Sequence, residues 1–323
     1  MKVCVVFGGS GYIGTYLIKS FLVSNSFDRI YVCDIRKSKV SDDFVTHVEC
    51  DVRKKIIIQL PASIDGSKSW VFNFAAIHRE PGHEAHEYFD TNIQGAKNIN
   101  VFLDVSGISN LYFTSSIAPY GPSKKIRDES SQCYPETPYG ISKWKAESIH
   151  EVWQKKNPNH RLIISRPSVI YGPGDPGNVL RMINGIIKGT FFIPGDPAII
   201  KSHGYIYGFI DSVIFTMGKN EKYILYNYAE NPCLSLSQMC CEVKKVFGIK
   251  RRTYSVPLRL LVVASMFITF FNRRSSVHPV RVKKAAFPTN ILPGYLIRND
   301  FHFKYEFSKS LPHWLSLSPD DFN

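Results

Sequence analysis

These 323 residues contain no apolar run long enough to cross a bilayer. The strongest candidate, Leu260 to Phe271 (LLVVASMFITFF), has twelve residues, against the ~20 that a spanning helix needs. It reads as a core or interface helix. With Arg273 and Arg274 following it, the alternative is a face that touches a membrane peripherally. The chain enters a strand-like segment at Lys2, so no signal peptide is expected. Cysteines are few and poorly paired: seven, at positions 4, 33, 50, 133, 233, 240 and 241, with no CxxC spacing. That argues against a disulfide framework or a metal site and for a reduced, cytoplasmic compartment. Internal repeats, low-complexity tracts and long blocks of one charge are also lacking. A chain that is 44% hydrophobic and 21% charged therefore reads as folded, with one large domain or two smaller ones.

The formal net charge is +13, which fits nucleic acid, an anionic membrane surface, a phosphorylated substrate or simply a solvated basic surface. The cations are dispersed, with short clusters at Arg36 to Lys39, Lys250 to Arg252, Arg273 to Arg274 and Arg281 to Lys284. No nucleic-acid module accompanies them, so no nucleic-acid partner is expected, and diphosphate-bearing small molecules suit the charge better.

Strand and helix signals alternate through the first half. Lys2 to Phe7, Arg29 to Cys33, Val45 to Cys50, Trp70 to Phe74, Leu111 to Thr114 and Leu162 to Ser165 are β-rich runs. Tyr12 to Val23, Tyr88 to Val105 and Tyr139 to Lys155 carry helical spacing between them. This alternation predicts an α/β fold with a doubly wound parallel sheet covered on both faces. From Tyr171 onward glycine and proline become dense and the alternation weakens, as in a substrate-binding part. Tyr205 to Met217 and Tyr223 to Tyr228 are candidates to return to the sheet, which would interleave the two parts.

Ligands of such sheets bind beyond the carboxyl ends of the strands, where the polar motifs lie. Gly8-Gly9-Ser10-Gly11-Tyr12-Ile13-Gly14 follows the first strand and opens the first helix. Its glycines permit a tight turn and close approach of backbone to a pyrophosphate, and the helix N-terminus supplies N–H donors. Asp34 ends the second strand, about 20 residues further on, as a dinucleotide fingerprint requires. Its carboxylate can accept from both ribose hydroxyls and would repel a 2′-phosphate, so NAD is expected rather than NADP. Ile35 and Arg36 adjoin it as candidate contacts, and Arg36 bears on that choice of cofactor. Asp51 and Val52 are placed to flank the adenine. Phe74, Ala75 and Ala76, after the fourth strand, would let the cofactor pass close to the backbone.

Thr114-Ser115-Ser116 ends the fifth strand, and Tyr139-Gly-Ile-Ser-Lys143 opens a helix after Pro138. Tyr139 and Lys143, four apart, share one helix face. Free tyrosine, with a pKa near ~10, is a poor base at neutral pH, and a nearby ammonium lowers that value. Tyr139 is thus the candidate to take a proton from a substrate hydroxyl and return it to a ketone. Ser116 would hydrogen-bond the same substrate oxygen. Thr114 joins the cofactor contacts and Ile117 the substrate contacts.

Taken together, GGSGYIG at 8, DV at 51, NFAA at 73, TNIQGAKNI at 91, FTSSIAPYG at 113, PYGISKWKAE at 138 and SRPSVIYGPGD at 165 resemble the extended short-chain dehydrogenase/reductase family, in its NAD-dependent epimerase/dehydratase branch. The match runs in register through the first ~180 residues and is loose in the last third. The resemblance implies a Rossmann domain at 1–170, joined by about 204–228, and a smaller substrate domain at 171–203 and 229–323. It makes Ser116, Tyr139 and Lys143 a catalytic triad. It also implies that Asn92 holds a helix kink and a water near the lysine, and that Pro167 to Val169 lie beside the nicotinamide. Asn178 and Arg181 fall where relatives contact substrate phosphates, with Lys201 and His203 as weaker matches. A homodimer through a four-helix interface is expected on the same ground.

Where related dehydratases carry an acidic pair after the catalytic hydroxyl, this chain has Ile117 and Ala118, which sets dehydration aside. HGYIYGFIDS at 203 stands in place of a motif like RDFVHVDD and lacks its arginine. The leading expectation is a nucleotide-sugar 4-epimerase working through a transient 4-keto sugar on a nucleoside-diphosphate-sugar substrate. A 4-ketoreductase of a nucleotide deoxysugar is the alternative. A 3β-hydroxysteroid dehydrogenase, suggested by the apolar stretch after Pro257, and a non-catalytic dinucleotide sensor follow behind.

Overall fold

The computed structural model describes residues 1–79, 82–175, 177–271, 279, 282 and 286–322. The basic residues Arg273, Arg274, Arg281, Lys283 and Lys284 lie outside that set.

In chain order the first elements are β1 (Val3–Phe7), α1 (Tyr12–Val23), β2 (Arg29–Asp34), β3 (Val45–Glu49) and β4 (Trp70–Asn73). Then come α2 (Ala85–Tyr88), a π-helical turn (Phe89–Gln94), α3 (Gly95–Ser106), β5 (Asn110–Thr114), α4 (Pro138–Lys155) and β6 (Arg161–Pro167). The second half holds β7 (Val169–Tyr171), α5 (Asn178–Lys188), β8 (Ile193–Pro194), β9 (His203–Tyr205), α6 (Ile206–Met217) and β10 (Tyr223–Tyr228). It continues with α7 (Leu236–Val246), β11 (Ser255–Val256) and α8 (Leu258–Phe271), and closes with helices at Gly294–Arg298 and Phe307–Leu317.

Seven strands form one sheet in the order β10-β6-β5-β4-β1-β2-β3, and every pairing is parallel. The near-continuous apolar strands reflect burial on both faces. Cys4, Val6, Val32, Phe72, Tyr112 and Ile163 point to a face covered by α1 and α6. Val3, Val5, Phe7, Val71, Leu111 and Phe113 point to the other, under α3 and α4. The chain crosses from one face to the other between β1 and β4, and such a switch point opens a crevice beyond the strand ends. A third core joins α5, α7 and Phe307–Leu317 around Tyr171 and Tyr205. The seven cysteines are unpaired, and Cys4 and Cys33 are buried in their strands.

Two expectations change. Tyr223 to Tyr228 does enter the sheet, beside β6, but Tyr205 to Met217 does not, apart from Tyr205 in the separate β7–β9 pair. Its buried residues are Ile206, Gly208, Phe209, Ile210, Ser212, Val213 and Thr216, a helical spacing that overrides its β-branched and aromatic composition. Of the reading of Leu260 to Phe271 as a core or interface helix, the core half also fails. The segment is helical, yet Ser265 is its one buried residue, and Leu260, Val263, Phe267, Phe270 and Phe271 are exposed. No helix among the described residues is long and apolar enough to cross a membrane.

Candidate active site

The glycine turn sits at the switch point. Gly8 has φ +75°, a conformation that L side chains rarely adopt, and a Cβ there would lie 2.6 Å from the backbone nitrogen of Ala75. A Cβ on Gly14 would lie 2.7 Å from Gly9 Cα, so the turn folds back onto the helix start. Gly11 caps α1 without a side-chain acceptor. The first-turn N–H groups of Tyr12, Ile13 and Gly14 therefore have no acceptor inside the helix, the arrangement that receives a phosphate.

Asp34 braces this turn. Its Oδ2 accepts from the Ser10 amide at 3.1 Å and its Oδ1 from the Arg36 amide at 3.0 Å. The carboxylate is buried, while the Arg36 guanidinium, 3.5 Å from Oδ1, is 67% exposed. Ile35 is exposed beside it. Asp51 is held in a bidentate pair by Arg53, which keeps its carboxyl below the usual range. Val52 is buried against Gly95. Phe74, Ala75 and Ala76 line the exit of β4, half-buried. Tyr12 has its hydroxyl buried without a hydrogen-bond partner, and burial pushes its pKa well up.

On the other side of the switch point, α4 brings its polar residues beneath the end of β5. Lys143 is buried, with Nζ 4.4 Å from the Phe113 ring centroid. Desolvation lowers its pKa from 10.5 to about 7, and the Glu147 carboxylate acts in the opposite direction. Glu147, one turn further on, is buried too. It accepts from Arg166 Nε at 2.9 Å and Nη2 at 2.6 Å, and from the Ser115 hydroxyl. His150 is fully buried between Asn73 and Asn100. Burial and then the Lys143 charge push its pKa down to about 3, so it is a neutral spacer. Among the described residues Lys143 thus has no close ion-pair partner: the nearby carboxylate is already committed to Arg166.

Tyr139 opens α4 one turn before Lys143, half-buried, its ring 6.3 Å from that of Tyr88. The first turn of α4 is fixed by the cap from Thr137 and by Ser142, whose hydroxyl donates to the Tyr139 carbonyl and accepts from Asn92 Nδ2 at 2.8 Å. Asn92 lies in the π-helical turn and bonds the Ile77 backbone in both directions. The π-helical turn aims Asn92 at the turn that carries Tyr139. Ser116 follows β5, and its hydroxyl accepts from the Ala118 amide at 3.2 Å. Ile117 donates to the Pro167 carbonyl, which ties this loop to the end of β6, where Val169 is 42% exposed. Thr114 is buried and bonds weakly to Ser165.

The candidate substrate residues divide. Asn178 and Arg181 are exposed on the first turn of α5 and bond each other at 2.7 Å. Lys201 Nζ donates to the Phe287 carbonyl at 2.6 Å, and desolvation brings its pKa down to about 8. His203 is buried, its ring nitrogens facing the Lys201 carbonyl and Glu230. Glu230 also accepts from Tyr171. His203 belongs to this interior network, and the carboxylate raises its pKa. Sequence reasoning passed over Glu147, Arg166 and Ser115. The one available signal was the spacing of four between Lys143 and Glu147.

A parallel sheet with a glycine turn, an acid at the next strand end and a Ser, Tyr and Lys set defines a dinucleotide-dependent enzyme of the extended short-chain dehydrogenase/reductase type. The chain belongs to the NAD dependent epimerase/dehydratase family, whose model matches residues 4–225. It is 29% identical to the N-acetyl-alpha-D-glucosaminyl-diphospho-ditrans,octacis-undecaprenol 4-epimerase of Escherichia coli O157:H7, over 96% of this chain and 93% of that one. It is 27% identical to the UDP-glucose 4-epimerase of Vibrio cholerae, over 58% of each. Its fold matches the UDP-glucuronic acid 4-epimerase of Bacillus cereus in complex with NAD, with TM-score 0.74, 16% identity and coverage of 99% and 100%.

Proposed function

We propose that this protein is an NAD-dependent 4-epimerase of a sugar carried on a diphosphate. The observation that carries the reading is the buried Lys143 ammonium at the end of β5, unpaired by its neighbouring carboxylate, one helical turn from Tyr139. An ammonium in that setting favours the phenolate. Tyr139 then takes the proton of the sugar C4 hydroxyl and later returns it to the same oxygen, while Ser116 holds that oxygen in line. When bound, the dinucleotide supplies the acceptor and donor of the C4 hydride. Gly8, Gly11, Tyr12, Ile13 and Gly14 would receive its pyrophosphate and Asp34 its adenosine ribose. Residues 1–170 with about 204–228 would hold it, and the remaining segments the sugar. Asn178 and Arg181 would meet the substrate diphosphate once they leave each other. Without an acid at Ile117 or Ala118, the 4-keto sugar has no group to eliminate water and is reduced again.

Two handles for the diphosphate come into question, a nucleoside and a polyprenyl lipid. Similarity over nearly the whole chain to a relative named for an undecaprenol-linked sugar, against 58% coverage for one named for UDP-glucose, favours the lipid.

Native mass spectrometry of the purified protein tests the cofactor, with co-purified NAD expected. Incubation with the C4 epimers of both substrate classes, without added nicotinamide, tests the reaction. Interconversion at catalytic cofactor supports an epimerase, and consumption of one reduced nicotinamide per product identifies a reductase instead. Tyr139→Phe should lower turnover by about 10²–10⁴-fold, and unchanged turnover would remove Tyr139 from the mechanism.

A further inference from the structure

We propose that α8 seats this protein on an anionic lipid bilayer. Its fourteen residues span about 21 Å, too short for a crossing but long enough to lie in the boundary between headgroups and acyl chains. None of them joins the hydrophobic clusters formed by the described residues. Phe270 and Phe271 are 78% and 82% exposed.

The distribution around the helix argues for lipid over a protein partner. Leu261, Val262, Ser265 and Thr269 fall on the more sheltered side. The exposed apolar residues run from Met266 round to Ile268, an arc of roughly 200° at 100° per residue, whereas a packed helix seam needs little more than ~100°. Charge complements the apolar arc. Arg251 and Arg252 precede the helix and Arg259 lies in its first turn, all exposed, and Arg273 and Arg274 follow it in sequence. Near an anionic surface each such cation strengthens partitioning by about fivefold.

The helix is also rooted beside the candidate substrate residues. β11, just before it, pairs with β8, and Gly195 donates to the Val256 carbonyl at 2.9 Å. The returning chain is fastened at Thr289, which exchanges backbone hydrogen bonds with Ile200 and Ser202 on either side of Lys201. The strand before α8 and Thr289 after it are thus both fastened to the segment that carries Lys201. The link to a lipid-carried substrate rests on the reading above; the surface itself does not.

The test is co-sedimentation of the full-length protein with phosphatidylcholine vesicles, with and without about a third phosphatidylglycerol. Alongside the native protein run Phe267→Glu/Phe270→Glu and Arg252→Glu/Arg259→Glu, none of which touches the catalytic residues. The native protein is expected in the pellet with anionic vesicles, and less so with neutral ones. Each double variant should lower partitioning by about tenfold or more, with far-UV circular dichroism unchanged. Native protein that stays in the supernatant with both vesicles, or variants that pellet equally well, would overturn the proposal. So would a native dimer, seen by analytical ultracentrifugation, that Phe267→Glu/Phe270→Glu dissociates while vesicles bind neither form. Vesicle binding without epimerisation of any sugar would retire the proposed reaction and leave the membrane surface standing, which separates the two failures.

Discussion

Replacing Lys143 by methionine should make the protein more stable and catalytically dead, and the gain should depend on pH. In the folded chain burial takes the lysine pKa from 10.5 to about 7. Below pH 7 the ammonium is charged in both folded and unfolded chains, so folding carries the full cost of desolvating it, on the order of 4–5 kcal/mol. Above pH 7 the folded lysine releases its proton while the unfolded chain keeps its own up to about 10.5. Native stability attributable to this residue therefore rises with pH across that window. At pH 9 the cost has fallen to about 2 kcal/mol. Methionine has no such cost at any pH, so the stability difference between variant and native protein should shrink by about 2–3 kcal/mol from pH 6 to pH 9. Comparing the two proteins at both pH values cancels packing differences and the titration of every group they share. Urea denaturation of dinucleotide-free protein at the two pH values measures it. A difference that stays constant between pH 6 and pH 9, or grows, would refute the claim that Lys143 is buried without a committed counter-charge.

Arg166→Met removes the two guanidinium donors from the buried Glu147 carboxylate and leaves it the Ser115 hydroxyl; it should cost about 3–5 kcal/mol in chemical denaturation, and adding Glu147→Gln should recover most of that loss. Gly8→Ala forces a side chain into a positive-φ turn against the Ala75 backbone. It should lower stability by at least about 2 kcal/mol and abolish co-purification of a dinucleotide. Asp34→Ala removes the charge that we propose faces the ribose and frees the neighbouring Arg36, so the ratio of NAD to NADP affinity, read by calorimetric titration of each, should fall by about tenfold.

The inner strands of the sheet could be read from the chain because they are apolar on both faces and end in a polar motif, whereas the edge strand β3 (VTHVE) is largely exposed. The site motifs could be read because their spacing is imposed by backbone geometry: a turn before a helix, an acid at the next strand end, two side chains one turn apart. The buried chain behind Lys143 could not. Ser115, Glu147 and Arg166 come from the residue after β5, from α4 and from β6, and meet only through sheet order. A glutamate in a helix looks the same in sequence whether it faces water or a guanidinium. Tyr205 to Met217 misled because aromatic and β-branched residues favour strands while their burial follows a helical period. Leu260 to Phe271 misled in the opposite way: its composition is that of an interior helix, and composition does not say which solvent receives it. His203 carried no signal of its interior position, since its partner Glu230 lies on the far side of α6 and β10 in sequence.

The seventh strand determines how this chain can be divided. β10 covers the outer edge of β6 along six residue pairs, and Tyr226 and Tyr228 belong to the same interior as β1. A polypeptide ending near residue 170 would hold every motif proposed to meet the dinucleotide and still present β6 as a bare edge, open to the strands of other molecules. During synthesis the first half must therefore wait some fifty residues for its last neighbour, and a fragment released before that point should aggregate.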